Sequence, residues 1–222
     1  MSNAPPWILK GRYPKQHQSG FGEQTPCVSC NNNTGSWYAP AFIDFTLEGF
    51  ISSIGIGAIG QSLKIEFRDI KPLNVIKQIL SMIMSANSHT FAARHSSLRK
   101  FLLCKDASGL DPMEYRISLY LNRGSIGKFL GITGMMNFFT GERHFVSEVA
   151  APPFSYFLEI NPTGKCRYFD ITFFANAYSY DFESDLSLPV PILESNSPFP
   201  TDHRSQAEIV DCLGVAATMA TE

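Results

Sequence analysis

Charge is scarce in this 222-residue chain: Asp, Glu, Lys and Arg make up 17% of it and apolar residues 44%, against roughly 25% and 45–50% in an average soluble domain. That balance excludes wholesale disorder, and the length supports one domain with a full hydrophobic core. Long apolar runs are missing as well. No stretch reaches the roughly 18 to 20 residues needed to cross a bilayer, because glycines or charges break each candidate, so any membrane is met from the side. The five cysteines, Cys27, Cys30, Cys104, Cys166 and Cys212, form no regular framework. Met1 is followed by no apolar signal core, and a reducing compartment is expected.

Complete catalytic constellations are also missing. Gly55, Gly57 and Gly60 have the spacing of a dinucleotide-binding loop. That loop needs a helix N-terminus behind it, and here the next residues alternate like a strand. A flexible or close-packed connection is the plainer reading. Cys27 and Cys30 could give a zinc ion two thiolates, but no second pair completes four ligands unless His17 and Cys104 are recruited from far away. His89, His95 and His144 stand near arginines with no Gly-x-Ser-x-Gly elbow to serve. They read as loop histidines. Asp181, Glu183 and Asp185 alternate with Phe182 and Leu186 and read as the polar edge of a strand. No cofactor, no metal and no enzymatic activity are expected.

What is present is a succession of short periodic segments. Residues 1–40 carry Pro5, Pro6, Pro14, Pro26 and the Asn31, Asn32, Asn33 run without an apolar period, which predicts an extended arm anchored by Trp7, Ile8 and Leu9. Ile43, Phe45 and Leu47 alternate with polar neighbours and predict a strand; Leu63, Ile65 and Phe67 predict a second. Pro72 suits a first helical turn, and Leu73, Ile76, Ile79, Leu80 and Ile83 carry a helix to about Ala86. A second helix, capped by Ser96 or Ser97, packs Leu98, Phe101 and Leu102. Glu114–Leu121 predicts a strand, and the stretch with Gly124, Gly127, Gly131 and Gly134 a long loop. The alternating segments Phe154–Ile160 and Cys166–Tyr178 flank turn residues Asn161 to Gly164 and predict a hairpin. The fold class is therefore α+β: a mostly antiparallel sheet with two central helices packed on it and an extended N-terminal arm. The expected division is an arm over 1–40, a globular domain over 41–188 and an extended tail over 189–222 that ends in a weak helix near Ala207–Ala217.

The net charge of −2 conceals an asymmetry. Between Lys64 and Lys105 there are eight basic residues against two acidic ones, whereas from Glu142 to Glu222 twelve acidic residues face four basic ones. Lys64, Arg68, Lys71, Lys77, Arg94, Arg99, Lys100 and Lys105 are the candidate contacts to an anionic partner. Aromatic platforms for stacking bases are not interleaved with them, since Phe67, Phe91 and Phe101 read as core. Lipid headgroups or a nucleocapsid suit them better than base-specific readout.

The Leu63–Arg68 strand, the Pro72–Ala86 helix, the basic His95–Lys105 helix, the Glu114–Leu121 strand, and the aromatic hairpin around Gly164 followed by Asp181–Leu188 together resemble a rhabdovirus matrix protein. The proline-rich arm with Pro5, Pro6 and Trp7 is similar to that family's N-terminal arm. The resemblance implies a non-enzymatic virion protein that self-associates, coats the nucleocapsid and its RNA, and touches the inner membrane surface of the host cell during assembly and budding. It implies that Pro5, Pro6 and Trp7 serve self-association or recruit host budding factors. The alternatives are another viral structural or movement protein that binds nucleic acid, or a small nucleotide-binding enzyme using Gly55–Gly60.

Overall fold

The computed structural model describes residues 28–54, 58–124, 127–136, 143–164, 166–197 and 199–211. Its elements in chain order are α1 (Val28–Ser53), β1 (Ser62–Ile70), α2 (Pro72–Ser85), α3 (His89–Arg94), α4 (Ser96–Leu103), β2 (Tyr115–Asn122), β3 (Lys128–Met136), β4 (Arg143–Ala151), β5 (Phe154–Ile160), β6 (Phe169–Asp170), α5 (Phe173–Ala177) and β7 (Ser184–Leu193). The seven strands form one sheet in the order β1-β7-β2-β5-β4-β3, with β6 pairing β2 beside β7. Every pairing is antiparallel except β2 with β7, which run parallel at Leu121 and Asn122. The class is α+β, as the element pattern predicts.

Helices cover one face of the sheet. α2 lies at the centre and buries residues on most of its circumference, because α1, α4 and the sheet surround it. Strand alternation then sorts the side chains. Tyr115, Ile117, Leu119 and Leu121 of β2, with Phe154, Tyr156, Leu158 and Ile160 of β5, join the helices in the main core. Tyr120 of β2, Val146 of β4 and Phe157 of β5 point to the opposite face and form a second cluster with Tyr168 and Leu193.

Four expectations are corrected. The segment expected to be arm and then strand is helical from Val28, and residues 28–40 are its first half; the Pro5, Pro6 and Trp7 tip lies outside the described residues. The apparent alternation of Ile43, Phe45 and Leu47 arises because α1 is apolar on two sides: Phe45 is buried while Ile43 and Leu47 are exposed. Local propensity opposes this helix, with Pro40 inside it and three asparagines near its start. Tyr38, Ala41 and Phe45 packed into the fold override that preference, and Thr34 and Ser36 donate their hydroxyls back to carbonyls three or four residues earlier.

The glycine-punctuated stretch is not a loop but the edge strand β3, paired with β4. Gly131 stands where the register shifts, and a Cβ there would press on the Ala86 carbonyl at 2.9 Å. Glycine in this strand lets the end of α2 approach the backbone. Asn87 uses the gap: its Nδ2 donates to Ile83 and Ser147, and its Oδ1 accepts from the Ile132 amide.

The expected hairpin does not form. Both edges of β5 are occupied, by β2 and by β4, so the following segment finds no partner there. It gives only β6, on β2, and then α5, whose neighbouring residues Ile171, Phe174 and Ala175 are buried at helical spacing. The C-terminal stretch also departs from an extended tail. β7 pairs with β1 and reaches Leu193, and Ser195 and Ser197 beyond it are buried; residues 206–211 are helical, in keeping with the helix expected to begin there.

Candidate functional site

α4 is short and strongly two-sided. Leu98, Phe101 and Leu102 are buried, and Arg99 and Lys100 are exposed beside the half-exposed Leu103. His95 breaks the chain between α3 and α4 and holds the junction on the sheet. Its Nδ1 lies 2.9 Å from the Tyr115 hydroxyl, which donates to Glu114 at 2.7 Å, and its ring packs 4.5 Å from that of Phe91. Burial lowers the imidazole pKa, Glu114 opposes that, and Arg94 reinforces it. The Tyr115 phenol is pushed up to about 12, chiefly by burial. So anchored, the junction carries Arg94 outward from the end of α3.

No acidic residue occurs from Ile70 to Lys105. Arg94, Arg99 and Lys100 have no ion-pair partner among the described residues. Lys105 follows the helix and stands 5.1 Å from the Tyr180 ring centroid, exposed. These four exposed cations follow one another along α3, α4 and the residues just after it, and are called the α3–α4 ridge below.

The other four candidates lie elsewhere. Lys64 and Arg68 are exposed on β1, where Lys64 pairs with Glu66 at 2.8 Å and the Arg68 amide donates to Glu48. β1 packs on α1 and β7, whereas α4 packs on α1 and α2, so the two strand cations are not part of the ridge. Lys71 faces Asp181 at 3.4 Å and Glu183 at 3.7 Å, so these carboxylates neutralise it. Lys77 is fully buried and cannot meet an external ligand. Its Nζ donates to the carbonyls of Cys104 and Lys105 at 2.8 and 2.9 Å, placing a cation at the C-terminal end of α4, and stands 4.5 Å from the Phe101 ring centroid. A sequence signal for this existed: position 77 is four residues from Leu73 and three from Leu80, at the edge of the apolar stripe.

Among the described residues the remaining candidates do not come together into one site. Gly60, with φ of 84°, turns the chain directly into β1 and not into a helix, and Gly55 and Gly57 lie outside the described residues. Cys27 also lies outside them; Cys30 is half-buried in α1. His89 is exposed and His144 half-buried on β4. Among the described residues no group of three His, Cys, Asp or Glu side chains could hold a metal, and no helix is long and apolar enough to cross a membrane. A hollow of about 230 Å³ lies between Phe50, Ser53, Leu121, Asn122, Arg123 and Pro153. It is smaller than the usual 300–1,000 Å³ of a ligand site, and the Arg123 guanidinium beside it donates to the Ser53 carbonyl.

Sequence reasoning missed a buried polar cluster on the second face of the sheet. Glu148 accepts a hydrogen bond from Tyr120 at 2.7 Å and lies 3.6 Å from the Lys128 amine, both charged groups being sealed from solvent. Lys128 also donates to the Phe199 carbonyl, while His203 lies 2.9 Å from the Tyr168 hydroxyl and 2.8 Å from the Glu194 carbonyl. Burial raises the Glu148 pKa and lowers that of Lys128, each opposed by the other's charge. The cluster clasps the segment after β7 onto the sheet. Its glycine-rich surroundings hid it, because Lys128 and Glu148 lie in strands that do not announce themselves. The chain matches no family model, no curated protein and no solved structure.

Proposed function

We propose that this chain is a non-enzymatic, matrix-type structural protein of an RNA virus, which self-associates and applies its α3–α4 ridge to the anionic inner leaflet of the membrane, linking it to the nucleocapsid. The observation that supports this reading is the ridge itself: Arg94, Arg99 and Lys100 exposed on helices whose opposite side is fixed in the core, and Lys105 exposed just beyond them. Unpaired cations gain from an anionic surface what internally paired ones such as Lys71 do not. Leu103, 45% exposed one turn from Arg99, gives the ridge an apolar side chain that a bilayer accommodates and an RNA backbone does not. The sequence pattern of the β1, α2, α4 and β2 segments, which resembles a rhabdovirus matrix protein, is consistent with the same assignment.

Four cations at about 1 kcal/mol each near an anionic membrane amount to roughly 4 kcal/mol, close to a thousandfold in affinity at low salt. Flotation with phosphatidylserine-containing vesicles tests this, comparing the wild type with Arg94→Glu/Arg99→Glu/Lys100→Glu/Lys105→Glu. The wild type is expected to bind with steep salt dependence, and the variant to stay unbound while keeping its circular dichroism. Equal flotation of the two proteins removes the ridge from the function. Vesicle binding that is absent while single-stranded RNA is bound, with a log–log salt slope near −3 that the variant loses, assigns the ridge to nucleic acid instead.

A further inference from the structure

α1 is apolar on the wrong side as well as the right one. At 100° per residue, Ile43, Leu47, Phe50 and Ile51 fall within about 100° of arc, continued by Ile54 just past the helix end, nearly opposite the arc that buries Tyr38, Ala41 and Phe45. All five outer side chains are between 51% and 62% exposed. A helix that is hydrophobic all round belongs in an interior. This one has an interior on one side only.

We infer that this outer stripe of α1 is the face by which two copies of the chain associate, a twofold-symmetric helix-to-helix contact. This deepens the assembly reading above and rests on it. Charge selects the occupant. α1 contains no lysine or arginine, and its only charges, Asp44 and Glu48, lie along one edge of the stripe. A helix that lies on an anionic leaflet carries cations on its flanks; carboxylates there repel headgroups, and the ridge on α4 already supplies the membrane contact. A second copy offers the same apolar stripe, which is self-complementary under a twofold axis.

Area supports the same occupant. The five side chains expose on the order of 500 Å² of apolar surface, so pairing two stripes removes about 1,000 Å² from water, the threshold of a specific interface. Ile59, 48% exposed in the turn after α1, and the hollow beside Phe50 extend the contact at the stripe's C-terminal end. The opposite side of α1 is held by α2 and β1, so the stripe is presented on a supported helix.

Sedimentation equilibrium of the full-length chain tests the inference, with Leu47→Lys/Ile51→Lys as the variant. Both positions are more than half exposed, so the fold tolerates lysine there, and twofold symmetry places four new cations in one interface. The wild type is expected to be dimeric at about 20 µM, and the variant to dissociate about a hundredfold or more weakly with unchanged circular dichroism. A monomeric wild type overturns the inference, whether or not the ridge binds vesicles. So does a variant that dimerises like the wild type, and so does a Trp7→Ala protein that dissociates while the α1 variant does not, which would make the N-terminal arm the linker. A monomer that floats on uncharged phosphatidylcholine vesicles through the stripe assigns it to lipid and equally overturns it. A dimeric wild type that binds no anionic vesicle leaves α1 as the dimer face and removes only the membrane reading.

Discussion

Replacing Lys77 with methionine separates the cost of a buried charge from the value of its hydrogen bonds. Burial is the main cause that brings this amine from 10.5 down to about 8, with Cys104 and Asp106 pulling the other way. At 1.36 kcal/mol per factor of ten, the charged form is disfavoured by roughly 3 kcal/mol relative to water. Between about pH 8 and 10.5 the unfolded chain keeps a proton that the folded chain has released, so stability rises with pH in that window. Below about pH 8 both states are protonated and the whole cost is present. Methionine removes the cost at every pH and leaves the Cys104 and Lys105 carbonyls without their donor, at about 1–3 kcal/mol each. The two effects nearly offset near neutrality, and the variant should lie within about 2 kcal/mol of the wild type there. Urea unfolding followed by tryptophan fluorescence is a suitable assay, because Trp37 packs 5.9 Å from Tyr38, whose ring stands 5.6 Å from Lys77. Burial raises Cys166 and several tyrosines, which lose stability as pH rises. Those contributions are common to both proteins and cancel in the difference. Between about pH 8 and 9.5 the wild type should gain roughly 1–2 kcal/mol on the variant. A difference that stays flat across that interval refutes the buried-amine reasoning.

The Glu148 and Lys128 pair should behave asymmetrically: Glu148→Ala alone strands a buried ammonium and should cost about 3–5 kcal/mol in thermal or urea unfolding. Adding Lys128→Met should recover a large part of that loss, and a double variant no more stable than the single one would show that the two charges are not coupled. Two glycines in α1 give an internal control. A Cβ at Gly49 would collide with the Phe154 ring, itself packed against the stacked Phe45 and Phe67, so Gly49→Ala should cost about 1–3 kcal/mol, whereas Gly35, with nothing near its Cβ direction, should gain up to about 1 kcal/mol as alanine. Equal melting shifts for the two would contradict the packing of α1 on β5.

The candidate site was legible where one helix face alone decides it. Leu98, Phe101 and Leu102 against Arg99 and Lys100 specify which side of α4 faces out, and the structure keeps that assignment. Lys77 was misplaced because a basic residue on a flanking position looks solvated until a neighbouring helix end arrives to accept its protons. Lys71 was miscounted for a similar reason: its partners Asp181 and Glu183 are more than a hundred residues away in the chain.

By itself the sequence determined α2, α4, β1, β2 and β5, whose periods of 3.6 or 2 record the face turned to the main core, and with them the α+β class. Tertiary structure alone decided α1, whose two apolar arcs imitate strand alternation over a few residues. It alone decided β3, whose glycines spare room for the end of α2, and the partners of β5, whose edges are claimed by β2 and β4 before a hairpin can form. A periodic pattern reports how many faces of a segment leave water. It does not report what covers them, and in this fold the covering elements come from distant parts of the chain.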